Sequence, residues 1–179
     1  SLPPRPSTPG KGAEGSRAIV AGARDPFGVR ALQWPVSIPS KVPPGFRELT
    51  EASGFAAANG PWFEKIDGGR PIRGFLPGPK HANALGIVHG GMLAAFLDSA
   101  MGTAVFHTLN RRAVTLRLSL DYLGPGRLGD WLQAEGEVVG HDEHVAQVRG
   151  RLYGPRHEVL TGLGAFALLS RQRTVMPRG

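Results

Sequence analysis

Residues 90–122 read GGMLAAFLDSAMGTAVFHTLNRRAVTLRLSLDY, and the apolar repeat changes partway through. From Gly90 to Leu109, Met92/Leu93, Phe96/Leu97, Ala100/Met101 and Ala104/Val105 recur every four residues, the spacing of one helix face. After Asn110 the period drops to two. Val114, Leu116, Leu118, Leu120 and Tyr122 alternate with Thr115, Arg117, Ser119 and Asp121, as in a strand with one apolar face. The pattern predicts a helix over about 90–109 and a strand over 113–122, with Thr115 on the polar face.

Further strands are expected at about 131–139, 144–153 and 158–169. Gly140-His141-Asp142-Glu143 and Gly154-Pro155-Arg156-His157 separate them, a spacing that suits an antiparallel meander. Upstream, the turn Asp67-Gly68-Gly69 precedes a strand around Arg70 to Leu76, and Phe46 to Asn59 reads as a short helix stopped by Asn59-Gly60-Pro61. The order is one strand, one long apolar helix, then four strands: an α+β domain. The long helix is the only element apolar enough to cover the sheet.

The 179 residues suffice for one domain with a sizeable core. With no cysteine, disulfides and thiol catalysis are excluded. A metal site would need His and carboxylates alone. His81, His107, His144 and His157 lack metal-ligand spacing and are expected to be surface or packing residues. Neither a metal nor a cofactor is expected.

Of the net charge of +7, residues 1–45 carry +4 and residues 171–179 carry +3, so the stretch between is neutral. A nucleic-acid interface would concentrate that charge on the folded body, so none is expected. Nine of the sixteen prolines also fall in 1–45, a composition suited to an extended arm rather than a core. The expected organisation is an arm at 1–45, a domain at 46–170 and a basic tail at 171–179. Residues 84–106 have the length of a membrane span, but Asp98, His89 and four glycines oppose insertion. No secretory signal is expected, and a cytoplasmic location is.

The helix entrance, Val88-His89-Gly90-Gly91, holds candidate chemistry. The first N–H groups of a helix lack intrahelical partners and lie at the positive end of its dipole. Glycine at 90 and 91 lets a substrate reach them. The alternative is a plain loop-to-helix junction. Asp98, set among Ala, Leu and Phe, is a candidate general base or nucleophile; a structural acid bonded to Ser99 or backbone is the other option. Gly90 and Asp98 stand eight residues apart, about 12 Å along a helix. If both serve one carbonyl, the acid must come from a second copy of the helix.

Asn83, Gly86, Val88-His89-Gly90-Gly91 and Asp98, followed through Thr115, Asp121-Tyr122-Leu123 and Ala165-Phe166, resemble the hotdog-fold acyl-CoA thioesterases. The phenylacetate-pathway and 4-hydroxybenzoyl-CoA type is the most similar branch. The resemblance covers about residues 60–170. It implies a long helix wrapped by a curved antiparallel sheet, and a homodimer with shared sites, with a tetramer as a further option. It implies that the Gly90 N–H meets the thioester carbonyl and that Asp98 of the partner subunit is general base or nucleophile. Asn83 and His89 would shape the site and hold substrate or water, Thr115 would position the water, and Gly91 would line the substrate path. Arg111 and His141, with Arg112 similar, are candidates for the CoA phosphates; surface roles are the alternative. The expected activity is hydrolysis of an acyl-CoA. A non-catalytic hotdog module that binds acyl-CoA is the alternative.

Overall fold

The structure is a computed structural model that describes residues 42–50 and 54–170. Nearly all of the expected arm and the whole basic tail lie outside the described residues.

Seven antiparallel strands form one sheet around one long helix. The strands are β1 (Arg47–Glu48), β2 (Trp62–Asp67), β3 (Arg70–Phe75), β4 (Ala113–Tyr122), β5 (Leu132–His141), β6 (Val145–Tyr153) and β7 (Glu158–Leu168); α1 is Phe55–Asn59 and α2 is Gly90–Leu109. The sheet order is β1-β2-β3-β5-β6-β7-β4. The expected helix at 90–109 and strand at 113–122 both form with those bounds.

Three expectations upstream and in the meander need correction. The helix expected over Phe46–Asn59 forms only at Phe55–Asn59, because Arg47 and Glu48 pair with Glu64 and Phe63 instead. The single strand expected before α2 is a hairpin. Gly68 and Gly69, at φ 55° and 79°, make the left-handed turn that joins Asp67 to Arg70. The meander holds only for β5, β6 and β7. Strand β4 lies beyond β7 at the sheet edge, while β5 pairs with β3.

The inner sheet face is where α2 lies, and its buried stripe is the one read from the sequence, Met92 to Val105. These side chains pack with Phe75, Leu132, Ala134, Val148, Leu152, Leu160 and Phe166. The helix comes very close at Gly136, where a Cβ would stand 2.9 Å from the Met101 Cα. By length and composition α2 could cross a membrane, but its apolar stripe is already covered by the sheet.

Strand β4 breaks its own alternation. Thr115 pairs with Phe166 but Arg117 pairs with Ala165, so a bulge inserts Leu116. Thr115 therefore shares the helix-facing side with Leu118 and Leu120, not the outer side with Arg117 and Ser119. Its expected polar-face position is overturned by one extra residue. Val114 and Leu116 are left exposed.

Candidate functional site

The loop before α2 is built around Asn83. Its side-chain oxygen accepts the N–H groups of Leu85 at 2.9 Å and Ile87 at 3.4 Å. Its backbone N–H donates to the Ile87 carbonyl at 2.8 Å, closing the loop. Asn83 thus holds the loop's shape through its side-chain carbonyl, the ordinary work of Asn in a turn.

The loop delivers His89 in a fixed place. The His89 N–H donates to the His81 carbonyl at 2.8 Å, and the Val88 N–H to the Gly126 carbonyl at 2.9 Å. At φ −59° and ψ 132°, His89 is the helix N-cap. Its Nδ1 accepts the Gly91 N–H at 2.9 Å, and its carbonyl accepts from Met92 and Leu93. One helix-entrance donor, the Gly90 N–H, has no acceptor among the described residues.

Gly90 is not required by the chain's own packing. Its φ is not in the left-handed region, and a Cβ there would meet only the Tyr122 ring, at 3.4 Å or more. The free side of this residue opens toward whatever approaches from outside. Tyr122 fixes the peptide from behind, its hydroxyl donating to the Gly90 carbonyl at 2.9 Å. That role was missed in the sequence. The available signal was a hydroxyl-bearing ring on the apolar side of an alternating strand, which needs a polar partner.

Two turns along α2, the Thr115 hydroxyl donates to Asp98 Oδ1 at 2.7 Å. Asp98 is half-buried and Thr115 exposed in the single chain. The surrounding open side of α2 carries Gly91, Ala95 and Gly102, side chains small enough to let another backbone come close. The eight-residue separation of Gly90 and Asp98 puts them about 12 Å apart on the axis.

Arg111 and His141 lie elsewhere. Arg111 follows the C-terminal end of α2, about 30 Å along from Gly90. Its guanidinium donates to the carbonyls of Glu143 at 2.7 Å, Leu168 at 3.0 Å and Leu169 at 2.9 Å, tying strand ends together. His141 ends β5, paired with Ala146, and its ring Nδ1 lies 3.4 Å from the Asp142 carbonyl. The structure therefore brings Asn83, His89, Gly90 and Gly91 together, pairs Asp98 with Thr115, and leaves Arg111 and His141 at the far end.

Two further polar groups lie near the site: His81, expected from the sequence only as a surface or packing residue, and the Arg73–Thr103 pair, which the sequence did not single out. Among the described residues His81 is the buried polar one. Its Nδ1 accepts the Gly78 N–H at 2.9 Å, so its Nε2 carries the proton and donates to the Asn59 carbonyl at 2.9 Å. Burial, reinforced by the Lys80 charge, lowers its pKa below that of a free histidine. Beyond Asp98 on α2, the Thr103 hydroxyl accepts from Arg73 Nη2 at 2.7 Å, and Arg73 Nε faces Glu64 at 3.0 Å. Burial lowers the Arg73 pKa and Glu64 opposes that shift. Among the described residues no group of three or more His, Asp or Glu converges as metal ligands.

The family model of the thioesterase superfamily matches residues 85–160, from the entrance loop to β7. A Pseudomonas aeruginosa protein named "Putative esterase PA0474" is 32% identical over 130 residues, which span 71% of this chain and 97% of that relative. The chain belongs to the hotdog-fold thioesterase superfamily. Among solved structures, the BH2602 protein from Bacillus halodurans with CoA is 30% identical, with TM-score 0.60, over 69% of this chain and 83% of its own. A mutant of the phenylacetic acid degradation protein PaaI from Thermus thermophilus is 25% identical, with TM-score 0.58, over 64% and 98%. The matched region holds Gly90, Asp98 and Thr115 with α2 and β4, while the β7 residues opposite Thr115 and Arg117 lie beyond it.

Proposed function

We propose that the chain hydrolyses an acyl-CoA to the free acid and CoA, at sites shared between two subunits. The observation that carries this reading is the division of α2. An unclaimed Gly90 N–H stands at its start, and the Asp98–Thr115 pair lies about 12 Å further on. One thioester cannot span both on one helix; two antiparallel copies related by a two-fold axis bring each Gly90 to the other's Asp98. Two features favour a second copy. Strand β4 is a ten-residue edge with Val114 and Leu116 exposed, an unprotected pairing surface. The open side of α2 is lined by small residues.

The chemistry follows from these groups. The Gly90 N–H donates to the thioester carbonyl, and its bond strengthens as that oxygen becomes an oxyanion. Asp98 of the partner subunit either takes a proton from water as the water adds to the carbonyl carbon, or adds itself and forms a mixed anhydride that water then hydrolyses to the free acid and the restored carboxylate. In both routes the C–S bond breaks and CoA leaves as its thiolate, then takes a proton. The Thr115 hydroxyl orients the Asp98 carboxylate. A module that only binds acyl-CoA has no need of the Asp98–Thr115 pair. A free-thiol release assay across a panel of acyl-CoAs tests the reading; binding without thiol release on any of them would overturn it.

A further inference from the structure

We propose that the cleft beside the helix entrance takes the acyl end of the substrate, and that Lys80 there selects acyl groups ending in a carboxylate. The inference rests on the thioesterase reading above. A cleft of about 400 Å³ has His89 and Gly91 in its lining, with Phe55, Ala82, Met92 and Lys80. His89 and Gly91 flank the Gly90 N–H, so an acyl group held by that N–H has this space next to it.

Apolar atoms from Phe55, Ala82 and Met92 suit the carbon part of an acyl group. Phe55 is exposed, its ring meeting Trp62 edge-on at 6.2 Å, and it is part of the cleft lining. The rest of the lining is polar; His89 Nδ1 accepts the Gly91 N–H, which leaves its Nε2 as a further donor. His81 and Asn59 bond each other, and the His81 ring is neutral because Nδ1 accepts while Nε2 donates. Among the described residues no Asp or Glu lines the cleft.

Lys80 adds a cation to this lining. Its ammonium donates to the carbonyls of Ala58 at 2.8 Å and Gly60 at 2.9 Å, at the end of α1. These bonds hold a flexible side chain in place and use two of its three N–H donors. Among the described residues no carboxylate forms an ion pair with it. The result is a held cation with one donor to spare, at a partly apolar cleft that has no acid among the described residues. A carboxylate at the end of an acyl group matches that combination.

The test compares adipyl-CoA with hexanoyl-CoA in the thiol release assay, for wild type, Lys80→Gln and Lys80→Arg. Lys80→Gln keeps a donor for the α1 carbonyls and removes the charge. The adipyl-to-hexanoyl ratio of kcat/KM should fall about five- to twentyfold in Lys80→Gln, the loss of one partly exposed charged hydrogen bond, and should persist in Lys80→Arg. An unchanged ratio overturns the proposal, and so does an equal fall on both substrates, which would assign Lys80 to the CoA phosphates or to folding. The same ratio read as Kd by calorimetry decides the matter even if neither compound is hydrolysed, an outcome that would count against the thioesterase reading alone.

Discussion

Two inactive variants should restore each other if the site is shared, and the structure sets how far. Asp98→Asn keeps shape and removes the base or nucleophile; such a loss typically removes about 10²–10⁴ in rate. Gly90→Pro removes the one unclaimed N–H. The helix tolerates it on three counts. Residue 90 is the first helical position, where proline is common and no intrahelical bond is lost. His89, at ψ 132°, already has the conformation that a following proline demands. A Cβ at 90 meets only the Tyr122 ring, at 3.4 Å. Losing an oxyanion donor costs about 10²–10³ in rate. Each variant alone should therefore be nearly silent. Co-refolded in equal amounts, random pairing makes about half of the dimers mixed. In each mixed dimer two-fold symmetry puts both defects in one site and neither in the other. The mixture should recover about one quarter of the wild-type rate, measured by thiol release with differently tagged chains to count mixed dimers. Recovery of nothing, with mixed dimers present, refutes the shared site; a fully active Asp98→Asn refutes its catalytic role.

Three further outcomes follow from particular contacts. Thr115→Val removes the 2.7 Å bond to Asp98 and should lower kcat about tenfold; deleting Leu116, the extra residue of the bulge, leaves Thr115 opposite Phe166 and Arg117 opposite Ala165 in regular alternation, so the bond to Asp98 and most of the activity should remain, and a loss as large as that of Thr115→Val would refute this reading of the bulge. Gly136→Ala puts a Cβ 2.9 Å from the Met101 Cα and should cost about 1–3 kcal/mol, seen as a lowered melting temperature, whereas Gly140→Ala meets nothing within 4 Å and should leave it nearly unchanged. Because burial holds the His81 pKa below its unfolded value of about 6.5, the unfolded chain takes up the proton first on acidification. Stability should be full above about pH 6.5 and decline as pH falls below it; urea midpoints for wild type and His81→Gln should converge on acidification, and parallel curves would count against the neutral buried histidine.

Periodicity alone located α2, its buried stripe and the full length of β4, because both elements repeat along the chain and each apolar residue reports its own face. The candidate site was legible where a local rule applied: a His-Gly-Gly entrance, an acid misplaced in an apolar helix, an Asn in a turn. Local rules could not show that Arg111 turns back on the carbonyls of residues 143, 168 and 169, since nothing in an arginine's neighbours names its acceptors. They missed β1 and β2 for a related reason. Strand β1 has only two residues, and both elements form by pairing with residues elsewhere in the chain.

The decisive case is Thr115. Its sequence neighbours place it with Arg117 and Ser119, and strict alternation would turn it away from Asp98. The sequence determined that a strand would stand there and which residue types it would carry. Only the pairing with β7 decided which face Thr115 meets, because a bulge is a mismatch of count between two strands, and one strand read alone has no second count to compare.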